Sequence, residues 1–119
     1  MSKKYGIPKD ELLKIRERDT NCVYCNKVML LRWDTHNRSD SPTIEHLSPV
    51  KPFYMKHGMQ LNNIAICCGS CNSSRRDKTL TEWFEKRYCR EKNKINADTV
   101  LAPVKAYLKR LELLSIDDQ

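Results

Sequence analysis

The stretch from Thr43 to Lys78 decides the fold, and it reads TIEHLSPVKPFYMKHGMQLNNIAICCGSCNSSRRDK. It contains two short apolar runs, Thr43 to Leu47 and Asn63 to Cys67, whose composition and alternation predict strands. The segment between them, Lys51 to Gln60, is expected to be the connection of a β-hairpin. The second run continues into CGSCNSS, in which the Asn-Ser-Ser triplet predicts the start of a short helix. The sequence therefore predicts an α+β fold built on a strand–strand–helix (ββα) unit.

Two Cys-x-x-Cys pairs flank this hairpin, Cys22 with Cys25 and Cys68 with Cys71, and 42 residues separate them. Two cysteines at this spacing in a tight turn direct both sulfur atoms at one ion, and four thiolates complete a closed, structural zinc site. A thioredoxin-like redox pair would account for one of the two motifs but not for the other. No apolar run suits a signal peptide or a membrane span, so we expect a cytoplasmic protein with reduced thiols and no membrane contact.

The composition of the chain bears on its partner and on the size of its core. The chain has 119 residues and a net charge of +7, with 22 Lys and Arg against 15 Asp and Glu. A positive surplus favours a polyanionic partner, of which nucleic acid is the usual one, although a merely soluble basic protein has the same charge. With 39% hydrophobic residues, we expect one domain with a small core that a metal ion would help to stabilise. Cys67 and Cys89 are expected to pack as small apolar residues.

Helical segments are predicted on both sides of the hairpin. An apolar stripe with acidic residues in its first turn predicts a helix from Pro8 to Arg18. A core over about residues 12–84 is followed by a helical extension over about residues 80–115, in which apolar residues recur every three or four positions. The apolar run from Val28 to Trp33 predicts one more short strand.

Glu45 and His46 form the chemically reactive pair at the end of the first predicted strand. A neutral histidine can act as a general base near pH 7, and phosphodiester cleavage needs such a base together with a cation. Carboxylate and amide oxygens suit a hard cation such as Mg²⁺, and Glu45 and Asn72 could supply them if the helix start meets the strand end. Considered alone, the dipeptide is weak evidence, because a structural histidine is the commoner explanation. His36 lies in a polar segment and is expected to be solvated.

The ordered combination of these motifs resembles the HNH endonuclease family, whose fold is of the ββα-metal type. That family has a Cys-x-x-Cys pair, an acid-His pair, and an Asn that leads through a hydrophobic run to Cys-x-x-Cys-Asn and a later Lys. The resemblance covers about residues 12–84 of this chain. The positions that carry it are Cys22, Cys25, Glu45, His46, Asn63, Cys68, Cys71, Asn72 and Lys78.

The resemblance implies a role for each residue of the reactive set. His46 is the general base, and Asn63 braces the hairpin and orients the histidine. Glu45 and Asn72 hold the catalytic divalent cation, which would be Mg²⁺, Mn²⁺ or another such ion, while the zinc is structural. Two features depart from the family pattern, because Glu45 replaces the usual Asp and the hairpin connection has Gly58 alone where the family has Gly-Gly.

The resemblance also implies an endonuclease that hydrolyses DNA phosphodiester bonds. Proteins of this pattern are often phage-encoded, which implies action in the host cytoplasm, as a monomer or weak homodimer, with phage packaging proteins as further candidate partners. The alternative is a non-catalytic zinc-ribbon module that binds nucleic acid. It would share the positive charge and the four cysteines but would not need Glu45, His46, Asn63 and Asn72 in the order of the family. The basic side chains expected to contact phosphate are Lys51, Lys56, Arg75, Arg76 and Lys78.

Overall fold

The structure, a computed structural model that describes residues 7–48 and 63–117, contains two antiparallel strands, and the first of them ends in the predicted reactive pair. Strand β1, Pro42–His46, pairs with strand β2, Ile64–Cys68, so that His46 lies opposite Ile64. Both predicted strands are confirmed, each displaced by one residue. The predicted hairpin connection, Lys51 to Gln60, lies outside the described residues.

Helix α2 follows β2 without a loop. It begins at Gly69, one residue after β2 ends, and Cys68 is its N-cap, with a sulfur atom that accepts a hydrogen bond from the backbone N–H of Cys71 at 3.5 Å. The prediction that the helix starts at the Asn-Ser-Ser triplet is therefore wrong. The second Cys-x-x-Cys turn is itself the first turn of α2, which places Asn72 inside the helix.

The remaining helices agree with the sequence pattern. Pro8 precedes the first of them, and a capping box between Thr79 and Glu82 opens the third. A π-helical segment, Tyr88–Asn93, leads to the last helix. No helix in the described ranges is both long and apolar enough to cross a membrane. In chain order, the α-helices are α1 Lys9–Arg18, α2 Gly69–Arg75, α3 Leu80–Phe84 and α4 Ala102–Asp117.

The prediction of a strand from Val28 to Trp33 is wrong. Only Val28 makes a bridge, with Asn21, and Leu31 is 90% exposed. This run cannot pair with the outer edge of β2, because residues 19–23, which precede the run in the chain, already occupy that edge. The backbone N–H of Val23 donates to the carbonyl of Ile66 at 3.3 Å, and the Asp19 carboxylate accepts from the backbone N–H of Ile66 at 2.9 Å.

Trp83, a residue of the third helix, lies in the core against Tyr24 of the first Cys-x-x-Cys turn. Its ring meets that of Tyr24 edge-on at a centroid distance of 4.8 Å, and the ring of Tyr88 stacks on it at 5.9 Å. Its indole N–H donates to the Ser74 hydroxyl at 2.9 Å, which joins α3 to α2. The rings of Trp83 and Tyr88 therefore pack in and against the core instead of forming a surface on which bases could stack.

Gly69 is required where α2 meets the segment before β1. Its backbone N–H donates to the carbonyl of Ser41 at 3.0 Å. A Cβ atom at position 69 would lie 2.0 Å from the backbone oxygen of Arg38, far inside van der Waals contact. The segment containing Arg38 can therefore approach the helix only because residue 69 has no side chain.

We expect Gly69→Ala to destabilise the protein. In an ordinary helix this change is stabilising by about 1 kcal/mol, but here the added methyl group collides with backbone, and overpacking of this kind costs about 1–3 kcal/mol or more. The measurement is thermal unfolding beside Ser73→Ala, an exposed position in the same helix. A Gly69→Ala protein that melts at or above the wild-type temperature would contradict this close contact.

Candidate functional site

Four cysteines from two distant turns converge on one point. The sulfur atoms of Cys22, Cys25, Cys68 and Cys71 all lie within 4.8 Å of one another. A tetrahedral zinc ion with Zn–S bonds of about 2.3 Å requires sulfur–sulfur distances of about 3.8 Å, and the Cys25 and Cys68 sulfurs are 3.9 Å apart. The group could hold a structural metal ion such as zinc, as the sequence predicts. Four protein ligands leave no coordination position for a substrate.

Hydrogen bonds among the four cysteines lower the pKa of Cys25 and of Cys68 and raise that of Cys22 and of Cys71. Two of the four thiols are thus biased toward the thiolate, the form that binds metal. The bond from Cys22 is the main influence that lowers the pKa of Cys25 and that of Cys68, which falls to about 7. The Tyr88 hydroxyl also donates to the Cys71 sulfur at 3.3 Å, as a partner outside the ligand set.

The other two cysteines differ from these four. Cys67 and Cys89 are buried outside the cluster. Burial raises the pKa of both thiols, to about 12 for Cys89. A buried thiol with a raised pKa stays protonated near neutral pH and behaves as a small apolar side chain, which agrees with the expectation for this pair.

Glu45 lies in the interior, with 3% of its surface exposed. Its Oε2 atom accepts hydrogen bonds from the Tyr24 hydroxyl at 2.5 Å and from Nη1 of Arg75 at 3.1 Å. Burial raises the pKa of Glu45, and the positive charge of Arg75 opposes that rise. Since Oε2 has both of these partners, Oε1 is the oxygen that a catalytic cation would have to use.

Arg75 is as deeply buried as its partner, with 1% of its surface exposed. Besides Glu45, its guanidinium donates to three backbone carbonyls, those of Lys78 at 2.8 Å, His46 at 3.1 Å and Leu47 at 2.7 Å. The prediction that Arg75 contacts phosphate is therefore wrong, because its donors point inward and none of its surface is available. Arg75 belongs to the run Arg-Arg-Asp-Lys, and a charged run of this kind suggests exposed side chains. The sequence therefore gives no sign that Arg75 is buried.

His46 is the last residue of β1 and is half-buried. Burial, and then the positive charge of Arg75, lower the pKa of the imidazole, which keeps it neutral at pH 7. The next residue, Leu47, donates its backbone N–H to the carbonyl of Asn63 at 2.8 Å. Asn63 thus lies beside the histidine, and its side-chain oxygen accepts from Nη2 of Arg110 at 3.1 Å. Nothing in the sequence pattern of α4 indicates that contact.

Asn72 reaches β1 from α2. Its amide nitrogen donates to the Thr43 hydroxyl at 2.9 Å and to the backbone carbonyl of Ile44 at 3.3 Å. With the nitrogen directed at the strand, the amide oxygen is the atom left to bind a cation. Through this side chain, the helix therefore meets β1 at Thr43 and Ile44, in the first half of the strand, whereas the predicted cation site requires a meeting at the strand end. The roles of ligand and base stay predictions.

The expected phosphate contacts lie in different environments. Arg76 is exposed, whereas Lys78 is half-buried and donates to the backbone carbonyl of Ser74 at 3.2 Å, near the end of α2. Lys51 and Lys56 lie outside the described residues. Arg76 is therefore the described member of the set with the most accessible charge.

Comparisons with known proteins add no relative to this geometry. No family model matches the chain, and neither the curated proteins nor the solved structures include a match to it. Within the described ranges, the four cysteines are also the one group of three or more His, Cys, Asp or Glu side chains arranged to hold a metal ion. A functional conclusion therefore depends on this cluster and on the junction of β1 with α2.

We expect Cys68→Ser to lose its metal and unfold. Structural zinc bound by thiolates supplies on the order of 10 kcal/mol of apparent binding energy, which a core of this size cannot replace. The measurement is zinc content per chain together with thermal unfolding. Cys67→Ala is the matched control, because it removes the neighbouring buried thiol, which lies outside the cluster. A Cys68→Ser protein with wild-type zinc content and melting temperature would disprove the structural role.

Proposed function

We propose that the protein is a metal-dependent DNA endonuclease of the HNH type, which hydrolyses phosphodiester bonds with His46 as the general base. The four cysteines bind structural zinc, and one divalent cation, such as Mg²⁺ or Mn²⁺, serves catalysis. The observation that best supports the proposal is the meeting of α2 with β1, which brings the Asn72 side chain to the strand that ends in Glu45 and His46.

The environment of His46 suits a general base. A base must be neutral to accept a proton from water, and burial together with Arg75 lowers the imidazole pKa in that direction. The residue is half-buried and its Nε2 atom is buried, so the imidazole is held by the protein. A bound divalent cation would stabilise charge on the phosphate and the leaving oxygen. The oxygens that could hold it are Oδ1 of Asn72 and Oε1 of Glu45.

DNA is the proposed substrate because the chain carries a net charge of +7 and Arg76 is exposed at the end of α2. A non-catalytic zinc-ribbon module would bind DNA for the same reasons but would leave it intact. Nicking of supercoiled plasmid separates the two, provided that Mg²⁺ or Mn²⁺ is omitted from the control instead of being chelated. A chelator would also remove the structural zinc and would stop cleavage for a different reason.

We expect His46→Ala to remain folded and zinc-loaded and to lose about 10²-fold or more in cleavage rate, the usual contribution of a general base. His36→Ala is the matched control, since this exposed histidine lies outside the β1–α2 junction. The measurement is single-turnover cleavage of a labelled duplex, with zinc content and melting temperature recorded for each protein. Equal rates for His46→Ala and wild type would refute the proposed base.

The cleavage rate should also depend on pH in a defined direction. The base is active when unprotonated, so the rate falls as the pH drops through the pKa of His46. Because burial and Arg75 lower that pKa from 6.5, the midpoint of the acid limb should lie below 6.5. The test is kcat/KM measured between about pH 5 and 8, the range in which histidine titrates. A midpoint above 6.5 would contradict this environment for the catalytic base.

A further inference from the structure

We propose that Arg75 is a positioning residue, which holds the end of β1 by its backbone and thereby fixes the orientation of the His46 imidazole. Its Nη1 atom donates to the carbonyl of His46 at 3.1 Å, and Nη2 donates to that of Leu47 at 2.7 Å. These are the carbonyls of the histidine and of the residue that follows it. This inference rests on the proposed function, because it assigns Arg75 a purpose only if His46 acts on a substrate.

The strand end is held from two sides. On one side are the two Arg75 bonds, and on the other the backbone N–H of Leu47 donates to the carbonyl of Asn63 at 2.8 Å. Beyond Leu47 the chain enters the segment that connects the strands, so the ladder ends at this point. Without the guanidinium, the carbonyls of residues 46 and 47 would lose these partners, and the backbone that carries the imidazole would be free to shift.

The Arg75 guanidinium is also held by Tyr24, which lies outside β1 and α2, and by Glu45 of β1. Nη1 also donates to the Tyr24 hydroxyl at 3.0 Å, and that hydroxyl donates onward to Glu45. Tyr24 stands between Cys22 and Cys25, so the path from the four-cysteine cluster to the strand end passes through these three buried side chains. Glu45 in this arrangement is the counter-ion that orients Arg75.

Only arginine can make this set of contacts. All three of its nitrogens donate here, Nε to the carbonyl of Lys78 and the two Nη atoms to β1 and its neighbours. A lysine side chain has a single nitrogen atom, which cannot reach all the acceptors that surround the planar guanidinium. A buried ion pair adds little stability over apolar side chains of the same volume. A displacement of about 1 Å at a reacting group, in contrast, can cost about 10²-fold in rate.

The test compares Arg75→Lys with Arg16→Lys. Arg16 also donates to two backbone carbonyls, those of Asp19 at 2.8 Å and Leu30 at 2.8 Å, but it lies apart from β1. Both variants keep the positive charge but lose the planar guanidinium, which can donate to several acceptors at once. For Arg75→Lys we expect full zinc content, a KM for duplex DNA within about twofold of wild type, and a kcat reduced about 10-fold or more. For Arg16→Lys we expect wild-type kcat and KM.

A second readout needs no cleavage. Hydrogen exchange of the Leu47 amide, followed by NMR, should be about 10-fold faster or more in Arg75→Lys, because the end of β1 that carries this amide is released. In Arg16→Lys this amide should exchange as in wild type. If wild-type protein fails to cut DNA, the proposed function is wrong, and Leu47 exchange still decides whether Arg75 holds the strand end.

Several outcomes would overturn the inference. These are an unchanged kcat in folded Arg75→Lys, an equal loss in Arg16→Lys, or wild-type exchange at Leu47. If Arg75→Lys does not fold, Tyr24→Phe replaces it, since the ring still packs on Trp83 while the hydroxyl that holds Arg75 and Glu45 is removed. We expect Tyr24→Phe to lower kcat and to speed Leu47 exchange, both by a smaller factor. Wild-type values for both quantities would reject the positioning role.

Discussion

The convergence of four cysteine sulfurs on one point is the constraint on which the rest of the structure depends. It brings the turn after α1 against the turn that joins β2 to α2, although the two are far apart in the chain. The first turn then covers the edge of β2, where Val23 bonds to Ile66. The second turn starts α2, with Cys68 as its cap. In a chain of this size, a metal ion held by the four cysteines would add to the stability that the apolar core supplies.

The direction of α2 follows from that clamp and determines what faces β1. Asn72 and Arg75 are three residues apart, so they lie on the same side of the helix. Asn72 bonds to the first half of the strand, and Arg75 bonds to its last residue and the one beyond. The helix that begins in the cysteine cluster therefore carries both side chains to the strand that ends in His46. Helix α2 therefore joins the candidate metal site to the candidate catalytic residues.

Three polar side chains lie together in the interior, namely the charged pair of Glu45 and Arg75 and the phenol of Tyr24. Burial raises the pKa of Tyr24, which keeps its hydroxyl protonated and able to donate to Glu45. Arg75 completes the set and has acceptors for all of its nitrogens. A buried charge is tolerated only when it is paired and fully hydrogen-bonded, and such a network specifies one arrangement of its members. Burial, and then the positive charge of Arg75, lowers the pKa of the neighbouring His46 imidazole.

Local patterns in the sequence were sufficient for the two strands, the flanking helices and the four ligands, because apolar periodicity and ligand spacing involve residues only a few positions apart. The environment of Arg75 and Glu45 depended on partners 21 to 51 positions away, which no local pattern encodes. An arginine in a basic run looks exposed, and it is buried here because the cluster turns α2 toward β1. The run after Val28 looks like a strand, but the edge it could join is already occupied. Tertiary structure alone decided which polar side chains lie inside and what they hold.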